Sequence, residues 1–187
     1  GWAVVPSSVF TGLNATFYNV APSGTTSLGN STDMDNLISW AISNSASTGT
    51  LPINRIDCDS TESYTVHDDI NDVDVTINSD CNPTTTAMGT GDENYATVIT
   101  GSITVPTTGT YNFAIDGNNN VDLTIDGTLV KGWYGNHGFS ACNNEASANY
   151  GQFDTTCNTN NVGSISLTAG THTIRVRQHE YQVNDGY

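Results

Sequence analysis

Apolar and polar residues alternate along most of this chain, and a period of two predicts half-buried strands. Tyr111, Phe113 and Ile115 form one such series, and Val121, Leu123 and Ile125 the next. Between them, Asp116-Gly117-Asn118-Asn119-Asn120 gathers carboxylate and amide oxygens into what the pattern predicts as the tip of a hairpin. Asp126-Gly127 marks a second hairpin, because glycine adopts positive φ without a Cβ clash. Leu13, Ala15 and Phe17 share one face of a strand over 9–19. Segment 95–105 sets Tyr95, Thr97, Ile99, Gly101 and Ile103 against Ala96, Val98, Thr100 and Ser102, and Pro106-Thr107-Thr108-Gly109 turns the chain toward Tyr111. Residues 164–167 and 171–179, joined at Ala169-Gly170, predict another hairpin. Shorter strands are expected over 51–56 and around Val73, Val75 and Ile77. Only Met34, Leu37, Ile38, Ala41 and Ile42 recur with helical spacing, behind a capping Ser31-Thr32-Asp33. Residues 21–31, 43–50, 81–93 and 131–161 read as loops, the last carrying Trp133, Tyr134, His137, Phe139, Tyr150 and Phe153. Many short strands divided by polar turns predict an all-β fold. The expectation is one antiparallel β-sandwich domain over 1–187, with jelly-roll or barrel character, long loops and at most one or two short helices.

Charge narrows the partners. Nineteen Asp and Glu against four Lys and Arg give a formal net charge of −15. Nucleic acids are held by Lys and Arg on phosphates, so they are excluded as partners, and anionic lipid is repelled in the same way. No apolar run is long enough to span a bilayer as a helix, so no membrane insertion is expected. Divalent cations are the natural counterions, and Ca²⁺ prefers carboxylate, amide and carbonyl oxygens. The acidic stretch 57–80 contains the vicinal pair Asp68-Asp69, which lacks a glycine-rich tip and a following Ile-Asp-Gly turn. It reads as a solvated loop, and the offsets of an EF-hand are missing. Gly1 follows no basic-then-apolar leader, so the chain reads as a mature or excised fragment, monomeric in isolation.

Cys58, Cys81, Cys142 and Cys157 lack zinc-ligand spacing. An even count in a lysine-poor chain rich in Thr and Asn points to an oxidising, extracellular setting and two disulfides. Of the three pairings, Cys58–Cys81 and Cys142–Cys157 are favoured because each closes a polar, loop-like segment; buried free thiols are the alternative. No motif of a nucleophilic, zinc-dependent or nucleotide-dependent enzyme is present, and Glu145, Asp154 and Glu180 as a glycosidase pair have only abundance to recommend them. A non-enzymatic role is expected. Of the histidines His67, His137, His172 and His179, only His137 sits in a setting suited to a ligand, between glycines in Gly-Trp-Tyr-Gly-Asn-His-Gly; hydrogen bonding to a loop carbonyl is the plainer alternative. His179 and Arg177 read as strand-face groups that satisfy polar neighbours.

Five pieces carry a resemblance: GLNATFYN, GSITVPTTGTYNFAIDG, VDLTIDGTLV, GWYGNHG and LTAGTHTIRVRQHEYQVNDGY, in that order over most of 10–187. Together they resemble the protective-antigen fourteen-kilodalton domain, named from the anthrax toxin and found in yeast flocculins, epithelial adhesins and bacterial surface adhesins. The resemblance implies a β-sandwich that binds carbohydrate through calcium. In that branch a cis-linked Asp-Asp pair at the tip before the VDLTIDG-like strand holds Ca²⁺, and the ion takes two adjacent sugar hydroxyls. The pair falls here on Asn118-Asn119, so two amides stand where the family has two carboxylates. Asp116 and Asp122 lie close enough to add charge, although a strand-face Asp is commonly just exposed. A second ligand-bearing loop matches 182–186; the resemblance implies oxygens from Gln182 or Asn184 and carbonyls around Asn184 and Gly186, with Asp185 adding charge. A plain Asn-Asp-Gly turn is the alternative reading there. Trp133, Tyr134 and Tyr187 can flank a sugar or cap the core, and for Trp133 the core is favoured. The expected function is a calcium-dependent hexose-binding lectin module of a cell-surface or secreted adhesin, with glycans or polysaccharide as partners. The alternatives are an accessory domain of a glycoside hydrolase and a structural spacer.

Overall fold

In the computed structural model, the described residues are 7–20, 27–44, 47–53, 56, 63–68, 73–78, 94–117, 119–137 and 161–180. A 3-10 turn at Ser7–Val9 leads into strand β1, Phe10–Asn19. There follow helix α1 (Ser31–Ser43) and strands β2 (Ser47–Pro52), β3 (Ser63–Asp68), β4 (Val73–Asn78) and β5 (Tyr95–Val105). The remaining strands are β6 (Gly109–Ala114), β7 (Asn120–Ile125), β8 (Thr128–Trp133), β9 (Val162–Leu167) and β10 (Gly170–Glu180). Six strands form one antiparallel sheet in the order β2-β1-β5-β10-β7-β8, while β3 pairs with β4 and β6 with β9. The fold is the all-β sandwich expected, with one helix among the described residues.

The alternation places the core as predicted. Leu13, Ala15, Phe17, Ile99, Ile103, Val121, Leu123, Ile125, Ile174 and Val176 are buried on one face of the large sheet. Ile115 and Leu167, with partly buried Tyr111, Phe113 and Ile165, close that core from the β6–β9 side. The two layers meet tightly at Gly163, where a Cβ would lie 2.3 Å from the Val130 carbonyl oxygen. Helix α1 covers the other face with Met34, Leu37 and Ala41, against Val20, Leu28 and Ala96. Its cap is Asn30, one residue before the expected Ser31: the Asn30 carboxamide oxygen accepts from the Thr32 and Asp33 N–H groups at 2.9 and 3.1 Å. Ile42, predicted to face inward, is 60% exposed, because the buried stripe runs through positions 34, 37 and 41 and Ile42 lies beyond its edge.

Two predicted hairpins are corrected. β6 and β7 do not pair, and neither do β9 and β10; β6 pairs with β9, and β7 and β10 pair with each other. Residues 115–117 and Asn119 therefore lie on a crossover between sheets and not in a hairpin tip. The alternation on each arm reflects one core approached from opposite layers. By contrast Asp126 (φ 48) and Gly127 (φ 77) form the β7–β8 hairpin turn as expected. Asp68 ends β3 opposite Val73 and is not a loop residue; Asp69, the cysteines and hence both proposed disulfides lie outside the described residues.

At the Gly170 end of β10, His172 joins two turns. Its Nδ1 lies 2.6 Å from Asp126 Oδ2 and its Nε2 lies 2.8 Å from the Thr168 carbonyl. Asp126 Oδ1 also accepts from the Thr173 N–H at 2.8 Å. Two acceptors at the two ring nitrogens favour the doubly protonated imidazolium. Hydrogen bonding to Asp126, then to Thr168, raises His172 above its ordinary 6.5, and the bond from His172 lowers Asp126 below its ordinary 3.8. A raised basic group stabilises the fold fully below its unfolded value and loses that contribution as pH climbs through its folded value; a lowered acid loses its contribution as pH falls through its folded value. The pair is thus complete between 3.8 and 6.5. In thermal unfolding, the gap between wild type and His172→Gln should narrow as pH rises from about 6 to about 9; a gap constant over that range would contradict the pairing.

Candidate functional site

At the other end of β10 the sheet becomes polar. Register opposes Asn120 to His179, the second residue from the end of β10. Asn120 is fully buried, and its carboxamide serves three segments. The Asn120 oxygen accepts from the Gly135 N–H at 2.9 Å and from the Leu28 N–H at 3.3 Å. Its nitrogen lies 3.1 Å from His179 Nδ1 and 3.4 Å from the His179 carbonyl. Asn119, with φ 62, turns the chain into β7 and is 1% exposed. Asparagine tolerates this left-handed region better than most residues. The Asn119 backbone N–H and carboxamide both donate to the His137 carbonyl, at 2.9 and 3.3 Å. The segment 133–137 is thereby clamped to residues 119 and 120. Within that segment the Trp133 and His137 rings stack, with centroids 3.5 Å apart and planes 5° from parallel. Trp133 is partly buried and packs on the sandwich core, in keeping with the favoured reading.

Asp122 plays a different part from the one considered for it. It is 0% exposed and receives Arg177 through Nε at 2.9 Å and Nη2 at 2.6 Å. Tyr134 donates to the same carboxylate at 2.7 Å. Arg177 also bonds Asp35 on α1, so the helix is tied to the sheet by charge as well as by packing. Burial pulls the guanidinium down, but Asp122 and then Asp35 outweigh it and hold Arg177 above its ordinary value. Burial, followed by the Asp122 carboxylate, pushes the Tyr134 hydroxyl well above the usual range. Both oxygens of Asp122 are thus engaged by Arg177 and Tyr134, and Tyr134 is held on the helix side of the sheet. His179 and Arg177 satisfy polar neighbours on a strand face, as read from the sequence.

Asp116 and Asn119 lie at the crossover. Asp116 Oδ1 accepts from the Gly117 N–H at 2.8 Å. Asn118, Gln182, Asn184, Asp185, Gly186 and Tyr187 lie outside the described residues. The polar character of this end also extends into the sandwich. Tyr95, Thr97, Gln178 and Glu180 are each 0% exposed, and Asn161 is 1% exposed. Among the described residues, no three His, Cys, Asp or Glu side chains converge on one point. Sequence reading missed the joint at Asn120, the pairing of Asp122 with Arg177 and the burial of Thr97, Gln178 and Glu180; for those last three the signal available was polar residues on the strand face that the alternation buries.

Comparison with known proteins bears on the whole chain. The model of the PA14 domain family matches residues 55–184, more than two-thirds of the sequence. Among solved structures, the PA14 domain of the MpAFP antifreeze protein is 15% identical with a TM-score of 0.52, and the match covers 100% of this chain and 83% of that one. A structure described as "PA14 sugar-binding domain from RTX adhesin" is 16% identical with a TM-score of 0.50, covering 90% of this chain and 82% of that one. An anti-sigma factor domain-containing protein from Clostridium clariflavum is 17% identical with a TM-score of 0.46 over 94% of this chain. This chain spans only 38% of that protein's length and 39% of a second anti-sigma factor domain-containing protein. At these identities the likeness is one of fold. No curated protein sequence matches.

Proposed function

We propose that this chain, which belongs to the PA14 domain family, is a carbohydrate-binding module that takes adjacent hydroxyls of a hexose through a bound Ca²⁺. The observation that supports this best is the pairing of Asn120 with His179. It brings the corner at Asn119 beside the end of β10, from which the chain continues toward Gln182. Asn118, Asn119, Gln182 and Asn184 would offer side-chain oxygens to the ion, and Asn184 and Gly186 backbone carbonyls. A donor set made of amide and carbonyl oxygens suits a hard cation and not a soft one. Bound calcium would supply a positive centre for sugar hydroxyls. Asp185 would add charge nearby. The clamped segment 133–137 presents the Trp133–His137 stack as a wall for the apolar face of a pyranose, with Tyr187 as a further aromatic contact. No catalytic step is needed. The role is adhesion or glycan capture at a cell surface or after secretion, with weak monosaccharide affinity raised by multivalent display.

A glycan array probed with the tagged chain in Ca²⁺ tests this. Hexose-terminated glycans should be bound, EDTA should abolish the signal, and added Ca²⁺ should restore it. Signal that survives chelation would contradict the metal-bridged reading, and absence of any glycan signal in Ca²⁺ would contradict sugar binding.

A further inference from the structure

Arg177 has two carboxylates, yet Arg175, two residues before it on the same face of β10, has none among the described residues. We infer that Arg175 marks a second carbohydrate site, on the outward face of the large sheet, that takes the carboxylate of an acidic sugar, a hexuronate, without calcium. The inference goes beyond the calcium reading above and draws on none of its residues.

Alternation and register place it. Leu123, Ile125, Ile174 and Val176 turn into the core, so Thr124, Arg175 and Arg177 point the other way. Arg175 stands between Thr124 on β7 and Thr100 on β5, with Thr173 two residues away on its own strand and Ser102 opposite that. Thr100 and Thr173 are exposed, and Arg175 is partly exposed. Helix α1 covers the Ala96 end of this face, and its Asp35 bonds Arg177. Among the described residues of β1, β5, β7, β8 and β10, the only carboxylate pointing outward is Asp122, and both of its oxygens are engaged.

The protein itself makes little use of this guanidinium. Nη2 donates to Thr124 Oγ1 at 3.5 Å, the outer limit of a hydrogen bond, and that hydroxyl carries no charge. Nε is buried and meets no acceptor. Buried donors are nearly always satisfied, and a partly buried cation without a counter-ion costs stability. With nineteen Asp and Glu residues in the chain, a protein carboxylate was not scarce. A planar guanidinium offers parallel N–H groups that match the two oxygens of a carboxylate. A hexuronate brings that carboxylate together with ring hydroxyls, and Thr100, Thr173 and Ser102 offer hydroxyls to meet them. The formal net charge of −15 is no bar at contact distance, because salt screens it within about 8 Å at physiological ionic strength.

Side-chain ¹⁵N NMR of the chain in EDTA tests the site, with methyl β-D-glucuronide as the probe and methyl β-D-glucoside as its neutral counterpart. The Arg175 Nε–H resonance should move to saturation with the glucuronide and stay in place with the glucoside. Arg175→Gln should bind the glucuronide at least tenfold more weakly, read from the Thr100 and Thr173 amide shifts. An unmoved Arg175 resonance, or an affinity unchanged in Arg175→Gln, would overturn the site. Sodium acetate matching the glucuronide in affinity would show a carboxylate contact without sugar recognition, and would overturn the saccharide assignment. Should Arg175→Gln fail to fold, the wild-type resonance and the acetate comparison decide. Because EDTA is present throughout, the outcome is independent of the calcium site.

Discussion

Replacing Asp122 with alanine is expected to lower the unfolding free energy by about 3–5 kcal/mol, the usual cost of removing one partner of a buried ion pair. The variant leaves the Arg177 guanidinium, itself 2% exposed, without its bidentate partner, and strips Tyr134 of its acceptor. Asp35 cannot make good the loss. Its side chain is 56% exposed, and it reaches Arg177 through a single nitrogen. Asp35→Ala should therefore cost no more than about 1 kcal/mol, in the range of surface ion pairs. Urea unfolding of the two variants separates the contributions, and equal costs would contradict the view that Asp122 carries the buried pair while Asp35 only trims it.

Replacing Asn120 with alanine is expected to cost about 2–4 kcal/mol, since each buried group left unsatisfied costs about 1–3 kcal/mol. The Gly135 and Leu28 N–H groups lose their acceptor, and His179 loses a donor. The functional effect should exceed what global stability explains. Gly135 belongs to the segment that carries Trp133 and His137, so hexose affinity should fall more than tenfold in a variant that is still folded. Hydrogen exchange at the Gly135 amide checks the local effect: strong protection in wild type, lost in Asn120→Ala. Protection that persists in the variant would show that Asn120 does not hold this segment.

The parts of the fold legible in the sequence are those governed by a single period. Leu13, Ala15 and Phe17, or Val121, Leu123 and Ile125, announce a buried face by alternation alone, and all six are buried. Asp126-Gly127 announces its turn because few dipeptides accept two positive φ values in succession. Pairing was not legible. Tyr111, Phe113 and Ile115 look the same whether β7 lies beside them or across the core, and short polar connections suit a hairpin and a crossover alike. The two pieces of the candidate site fared unequally for a similar reason. Asn119 was singled out through the family pattern at the head of a recognisable strand. Asn120 was passed over because an asparagine beside two others looks like more loop, although its burial makes it the joint between three segments. Asp122 was read as an outward strand residue because a neighbour at position i+1 fixes only parity. Nothing local reveals that helix α1 and Arg177, 55 residues away, close over that face. Glu180 was weighed among candidates for catalysis, where abundance argued against it; its burial opposite Tyr95 is invisible without the β5–β10 pairing.

The central claim is that the corner at 118–119 and the segment at 182–186 share one cation that holds a sugar. A crystal soaked in Ca²⁺ together with a methyl hexopyranoside tests it most directly. The expected map shows one ion between oxygens of Asn118 or Asn119 and of residues 182–186, at about 2.3–2.6 Å, with two adjacent sugar hydroxyls completing its shell. A fully occupied sugar with no ion between it and these residues, or an ion that touches only one of the two segments, would contradict it.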